Sequence, residues 1–278
     1  MVTVFLFGGN DAWNMVVPTD GRYAAYAAGR GAGVALRSDA LVPLTGTPFG
    51  LHPSLAPLKS VWDAGGLGVV LNTGTLFQPL DRNLYLQKPE LRPINLMSHA
   101  DQQAQWQGMR VRQLNQDGFL GRVSDKMAST AMLPPLISIS GSSLAMIGDR
   151  TMPIVLPATG SLVRSGYNVA TVTGAVGARQ AALAALTDVS AYGPVTRLTG
   201  QGISTAYDQA VQANTIIAAA TSVVDAHFKN PTTGAVLTSD IANQLKRVAR
   251  MIEARGTLSH PKQAFFVSQG GYDTHSAQ

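Results

Sequence analysis

Two carboxylates and a histidine stand in matching positions near opposite ends of the sequence. Asp11 follows Gly8-Gly9, which close an apolar, β-favouring run from Val2 to Phe7. Asp273 and His275 follow Gly270-Gly271, which close a second run, Ala264-Phe265-Phe266-Val267. A strand that ends in two glycines and an acid delivers a carboxylate to the carboxyl edge of a sheet, where open α/β sheets bind ligands. If both strands share one sheet, Asp11, Asp273 and His275 converge on that edge. Carboxylate plus imidazole is the donor set of zinc or a similar divalent ion. The competing reading of Asn10-Asp11 is a turn whose side chains satisfy their own backbone.

Ser98 and His99 open a further candidate. Ser98 and Asp101 fit the S-x-x-D capping pattern of a helix start, in which hydroxyl and carboxylate satisfy free amides. The same helix start favours anions, so a cap at Ser98 is compatible with a chemical role there. The other histidines read as structural. His227 sits near the end of a helical stretch, where the dipole favours a cation, and His260, beside Pro261, reads as a solvent-exposed loop residue.

The elements that must position these groups alternate between strand and helix patterns. Strands are expected near 2–7, 67–71 and 264–268, mainly parallel, with another at Leu136 to Ser140 and a short one at Ile94 to Met97. Pro53 suits the first turn of a helix whose apolar face carries Leu55, Leu58, Val61 and Trp62. With Leu67 to Leu71 behind it, this reads as a β-α-β unit and therefore as a parallel sheet with right-handed crossovers. Asp240 begins a strongly amphipathic helix through Ile241, Leu245, Val248 and Ile252, stopped by Gly256. The expected organisation is one α/β domain over residues 1–278 with an irregular insertion around 141–175. The chain stops three residues after His275 with no helix to cover the last strand. It therefore reads as incomplete at its carboxyl end, with bare apolar sheet surface, or as closed by another chain through self-association.

Bulk properties exclude some classes. The 278 residues, 45% hydrophobic, can bury a large core. The net charge of +5 is spread evenly, with 11 basic and 9 acidic residues in 1–139 and 10 and 7 in 140–278; a nucleic-acid interface would cluster its positive charge. Absence of cysteine removes disulfide and thiol chemistry. No apolar run approaches the ~18–20 residues needed to span a bilayer, and no leader pattern precedes the first strand. Neither a P-loop nor a G-x-G-x-x-G is present, which sets a nucleotide-binding reading aside.

Four segments together resemble the bacterial domain-of-unknown-function family 1501. They are Val4 to Pro18 (VFLFGGNDAWNMVVP), Gly50 to Leu58 (GLHPSLAPL), Ser98 to Gln103 (SHADQQ) and Gly270 to Ser276 (GGYDTHS), in the family's order across the chain. That family is assigned to the alkaline phosphatase and sulfatase superfamily, and many of its members carry twin-arginine export leaders. The resemblance implies an alkaline-phosphatase-like α/β/α sandwich and a periplasmic or secreted location. It implies Asp11, Asp273 and His275 as ligands of a divalent metal, zinc first, with calcium, magnesium or manganese as alternatives. Ser98, with His99 as the second choice, matches the region of the superfamily nucleophile. The implied reaction is hydrolysis of a phosphate or sulfate ester, small or polymer-linked, by a metal-activated hydroxyl. Family members continue into a later Asp-His pair, which this chain lacks. The alternative is therefore a non-catalytic exported protein that keeps the fold as a binding or assembly module.

Overall fold

A computed structural model describes residues 1–127, 129, 131–162, 173–188, 193–219 and 223–274. In chain order its elements are β1 (Val2–Leu6), α1 (Ala12–Met15), β2 (Val16–Pro18), α2 (Tyr23–Arg30), β3 (Val42–Pro43) and β4 (Phe49–Leu51). Then come α3 (Leu58–Asp63), α4 (Arg82–Gln87), α5 (His99–Gly108), α6 (Phe119–Ser124), β5 (Leu136–Ser138) and β6 (Ile154–Val155). The last are α7 (Gly174–Thr187), α8 (Pro194–Ala218), α9 (Asp240–Glu253) and β7 (Ala264–Gln269). The protein is thus mixed α/β. Its chain forms two compact units, one of residues 1–5 and 101–269, the other of residues 6–100 and 270–278.

The larger unit is built on a four-stranded, all-parallel sheet of order β1-β7-β5-β6. The expected first and last strands are therefore neighbours in one sheet. β7 runs buried from Ala264 to Ser268 because its alternating side chains enter two separate cores. Phe265 and Val267 pack with Ile137, Val248 and Met251, the last two from α9. Ala264 and Phe266 pack with Leu120 of α6, Leu136 and Met146, and Phe266 stacks on Phe5 with ring centroids 6.0 Å apart. The expectation of a bare face on this strand is corrected. Its covers, α6 and α9, precede it in sequence, and a strand needs no following helix if an earlier one reaches it. At the end of β7, the buried amide of Gln244 takes both backbone groups of Ser268, accepting from its N at 3.0 Å and donating to its O at 2.9 Å. Within the segment expected to be an irregular insertion, Ile154–Val155 pairs in parallel with Ile137–Ser138 and supplies the outermost strand of the sheet.

His260 is also corrected. It is 3% exposed; its Nε2 donates to the Leu133 carbonyl at 2.7 Å, and Nδ1 lies 3.2 Å from the Gln263 amide. Proximity to Pro261 suggested a loop, which it is, but a loop folded under the core.

In the smaller unit β2, β4 and β3 form an antiparallel sheet in which Val16 and Val42 both register with Leu51. Gly50 sits tightly in its central strand, where a Cβ would stand 3.0 Å from Leu41 Cβ and 3.2 Å from Val42 O. Val17 and Leu41 of this unit pack on Tyr26 of α2. Leu67 to Leu71, expected to be a buried strand, is irregular, and Val70 is 78% exposed. Its apolar run lacks a ladder partner. Val69 and Leu71 instead line a shallow groove of about 250 Å³ with Trp62 and Phe49. Ile94 to Met97 is a turn, not a strand. No helix among the described residues is long and apolar enough to cross a membrane.

Candidate functional site

The two glycine turns meet. Gly8 takes φ +93°, and a Cβ on it would stand 3.1 Å from Asp273 Cβ and 3.2 Å from Asp273 N. A Cβ on Gly9 would stand 3.2 Å from Asp273 Oδ1 and 3.9 Å from His99 Cε1. Both glycines thus leave room for the second turn to lie against the first. Gly271, at φ +90°, bends that second turn. Glycine is the residue that adopts such angles and permits such approach without steric cost.

The approach places Asp273 beside His99, with Nδ1 and Oδ2 3.4 Å apart and the side chains 50% and 44% exposed. His99 is the first residue of α5, directly after Ser98. The turn before it is set by a hydrogen bond from Ser98 N to Asn95 O at 2.8 Å, with Asn95 at φ +51°. His99, the second choice for the nucleophile in the sequence reading, stands next to the Asp273 carboxylate. The spacing is long for an N–H···O hydrogen bond, which usually spans about 2.7–3.2 Å. It does fit two donors of one ion, because groups ~2.1 Å from zinc at the tetrahedral angle lie ~3.4 Å apart.

Asp11 is engaged differently. It precedes α1 without a side-chain cap to it, in a backbone turn where Asn14 N donates to Asp11 O at 3.2 Å. Its carboxylate forms an ion pair with Arg30, the side chains being 16% and 25% exposed. Arg30 ends α2, where a cation is favoured by the helix dipole. The Asp11 loop is pinned from within the same unit. Tyr26 Oη donates to Asn14 Oδ1 at 2.6 Å and accepts from Leu36 N at 2.9 Å, and Asn14 Nδ2 donates to Val34 O at 2.9 Å. Nothing in the spacing of the sequence marked Arg30. Its distance of nineteen residues from Asp11 is bridged only by the way α2 packs on β2 through Tyr26 and Val17.

His275 lies outside the described residues. Among the described residues no group of three or more His, Cys, Asp and Glu side chains could hold a metal ion. The described groups are a carboxylate–imidazole pair at Asp273 and His99 and a separate ion pair of Asp11 with Arg30. His52 caps a turn: its Nδ1 accepts from Ser54 N at 3.0 Å at the start of the turn begun by Pro53. The apolar groove lined by Phe49, Trp62 and Val69 holds no titratable side chain. Compared with protein-family models, curated proteins and solved structures, the chain finds no match.

Proposed function

We propose that this chain carries the site of a metal-dependent hydrolase of phosphate or sulfate esters, built on an alkaline-phosphatase-like α/β/α sandwich of the 1501 family. The observation that carries the reading is the 3.4 Å approach of Asp273 Oδ2 and His99 Nδ1 on the Gly8-Gly9 turn. Asp273 and His99 would hold the ion, zinc first among divalent candidates, and Asp11 and His275 would complete its ligands. When bound, such an ion lowers the pKa of a hydroxyl beside it and neutralises charge on the transferred group.

Ser98 is the proposed nucleophile. Its place at the start of α5 puts it next to His99 in the chain, and the free amides of a helix start favour the anionic group under attack. The glycines keep the second turn close enough for Asp273 and His99 to act on one point. Export to the periplasm or outside the cell goes with the same family reading. A second reading, a non-catalytic exported binding module, is favoured by the Asp11–Arg30 pair, which commits one acid to a protein cation.

The test is metal content and zinc titration of the full chain purified without chelators, beside the variants His99→Ala, Asp273→Asn and Ser98→Ala. The expected result is one bound divalent ion in wild type and Ser98→Ala, with affinity reduced roughly 10–100-fold or more in the other two. Release of nitrophenol from aryl phosphate and aryl sulfate should then be abolished in Ser98→Ala. No bound metal in wild type overturns the metal reading; bound metal without turnover of either ester selects the binding module.

A further inference from the structure

Arg247 of α9 is a buried charge, 5% exposed, that the hydrolase reading does not use. Its Nη2 donates to Gly160 O at 2.7 Å and reaches Ala158 O at 3.5 Å. Its Nε and Nη1 are also buried and meet no acceptor among the described residues. No carboxylate answers it either. All sixteen acidic residues of the chain lie within the described residues, and none forms an ion pair with Arg247. The acids of α9 and of the turn packed on it are engaged elsewhere. Asp240 accepts from Gln244 at 2.8 Å, Glu253 from Val223 N at 3.2 Å, and Asp225 pairs with Arg250 and Lys246. Burial pushes the Arg247 guanidinium toward its neutral form, and the Arg250 charge adds to this. A buried charge without a partner is strongly destabilising, so the arrangement lacks an anion.

Arg247 stands at the carboxyl edge of the parallel sheet. Gln244, one turn before it on α9, holds Ser268 at the end of β7, and the carbonyls that Arg247 meets belong to the chain leaving β6. β5 and β6 are parallel neighbours whose following segments part. Ala145 and Met146, after β5, enter the core that holds Leu120, whereas Ala158 and Leu162, after β6, pack on the core of Val248 and Met251. Where neighbouring strands send their chains to opposite faces, a crevice opens outside their carboxyl ends, and open α/β sheets bind ligands there. The exposed turn Thr159-Gly160-Ser161 rests on the guanidinium through the Gly160 carbonyl. Gly160 takes φ +69° with nothing within 4 Å of its would-be Cβ, so the turn has room to lift and admit a ligand. Its far end is pinned at Leu162, whose N and O both bond the Asn214 amide at 2.8 Å.

We propose that Arg247 anchors a binding site for a small oxyanion, of carboxylate or phosphate type, in the crevice between the carboxyl ends of β5 and β6. The anion supplies the counter-charge that the chain lacks and accepts from the unmatched guanidinium donors, in the short charge-assisted bonds such groups form. The site belongs wholly to the larger unit and is independent of the metal reading: its anion is a stabilising ligand, and no step of hydrolysis passes through it. A ligand that binds only the folded chain raises its stability as the site saturates.

The experiment is isothermal titration and thermal melting of the full chain in zwitterionic buffer, with inorganic phosphate and separately with acetate, for wild type, Arg247→Met, Arg247→Lys and Arg255→Gln. Wild type should bind one anion per chain and melt higher as the anion concentration rises. Arg255 is an exposed arginine of the same unit, so Arg255→Gln should match wild type and separate the site from general ionic effects. Arg247→Met should bind roughly tenfold or more weakly and lose the melting response. Without anion it should melt no lower than wild type, because a buried unpaired charge is gone. Arg247→Lys keeps the charge with fewer donors, should also bind more weakly, and serves if the methionine variant fails to fold. Binding of phosphate alone or of acetate alone supports the site and names its oxyanion. Absence of saturable binding of either to wild type overturns the inference, as does equal binding by wild type and the Arg247 variants. An Arg247→Met chain that melts well below wild type, with no anion response in wild type, makes Arg247 a strap for the Gly160 turn and nothing more.

Discussion

Replacing Gly8 by alanine probes the contact on which the site rests. Gly8 has φ +93°, and the added Cβ would lie 3.1 Å from Asp273 Cβ and 3.2 Å from Asp273 N. The left-handed angle costs an L-residue about 1–2 kcal/mol. Crowding adds about 1 kcal/mol, the low end for overpacking, since the loop can yield by a few tenths of an ångström. Alanine's reduced freedom in the unfolded chain gives nothing back where the native angle is incompatible. The expected loss is therefore about 2 kcal/mol, which lowers a urea midpoint by about 1 M for a typical slope. Equilibrium urea unfolding followed by tryptophan fluorescence measures it, with Gly21→Ala as control. Gly21 has no atom within 4 Å of its would-be Cβ and no left-handed angle, so that variant should stay within about 0.5 kcal/mol of wild type. Gly9→Ala should separate the effects. Its Cβ meets the Asp273 carboxylate oxygen at 3.2 Å, so stability should change little while zinc affinity falls. If Gly8→Ala unfolds at the same urea concentration as Gly21→Ala, the two turns do not press together and the site geometry is wrong.

His260→Leu removes the donor to the Leu133 carbonyl and should cost about 1–3 kcal/mol in the same assay, the penalty of an unmatched buried acceptor; a surface-like change under 0.5 kcal/mol would contradict its burial. Phe266→Ala empties a fully buried position between Leu136, Leu120 and the Phe5 ring and should cost about 3–5 kcal/mol, with wild-type-like melting refuting the two-core account of β7. Asp125 gives a pH test. Burial raises its carboxyl, but hydrogen bonds from Thr151, Asp149 and Arg150 outweigh it and hold the group below the ordinary 3.8. A folded value below the unfolded one gives stabilisation that is complete above the unfolded value and is lost as pH falls through the folded one. The stability gap between wild type and Asp125→Asn should therefore be constant near neutral pH and shrink below about pH 4; denaturation curves that stay parallel down to pH 2 would refute it.

The first and last strands were legible because an unbroken apolar run bounded by glycine pairs has few other uses in a parallel sheet. β7, with Ala264 to Ser268 all buried, is the clearest case, and α9 was marked by its apolar spacing from Ile241 to Ile252. Leu67 to Leu71 carries an equally strand-like pattern and is irregular, because periodicity reports a tendency to be buried and says nothing about a pairing partner. His260 failed for the converse reason: its neighbours describe a loop, and only the fold sets that loop beneath the core beside Leu133. At the site the sequence by itself determined the two Gly-Gly-x-Asp turns and the helix start at Ser98-His99. Tertiary structure decided that His99 faces Asp273 and that Asp11 answers to Arg30. Local backbone chemistry writes a turn or a cap into a few adjacent residues, whereas the partner of a side chain is fixed by packing between segments far apart in the chain, which no local pattern encodes.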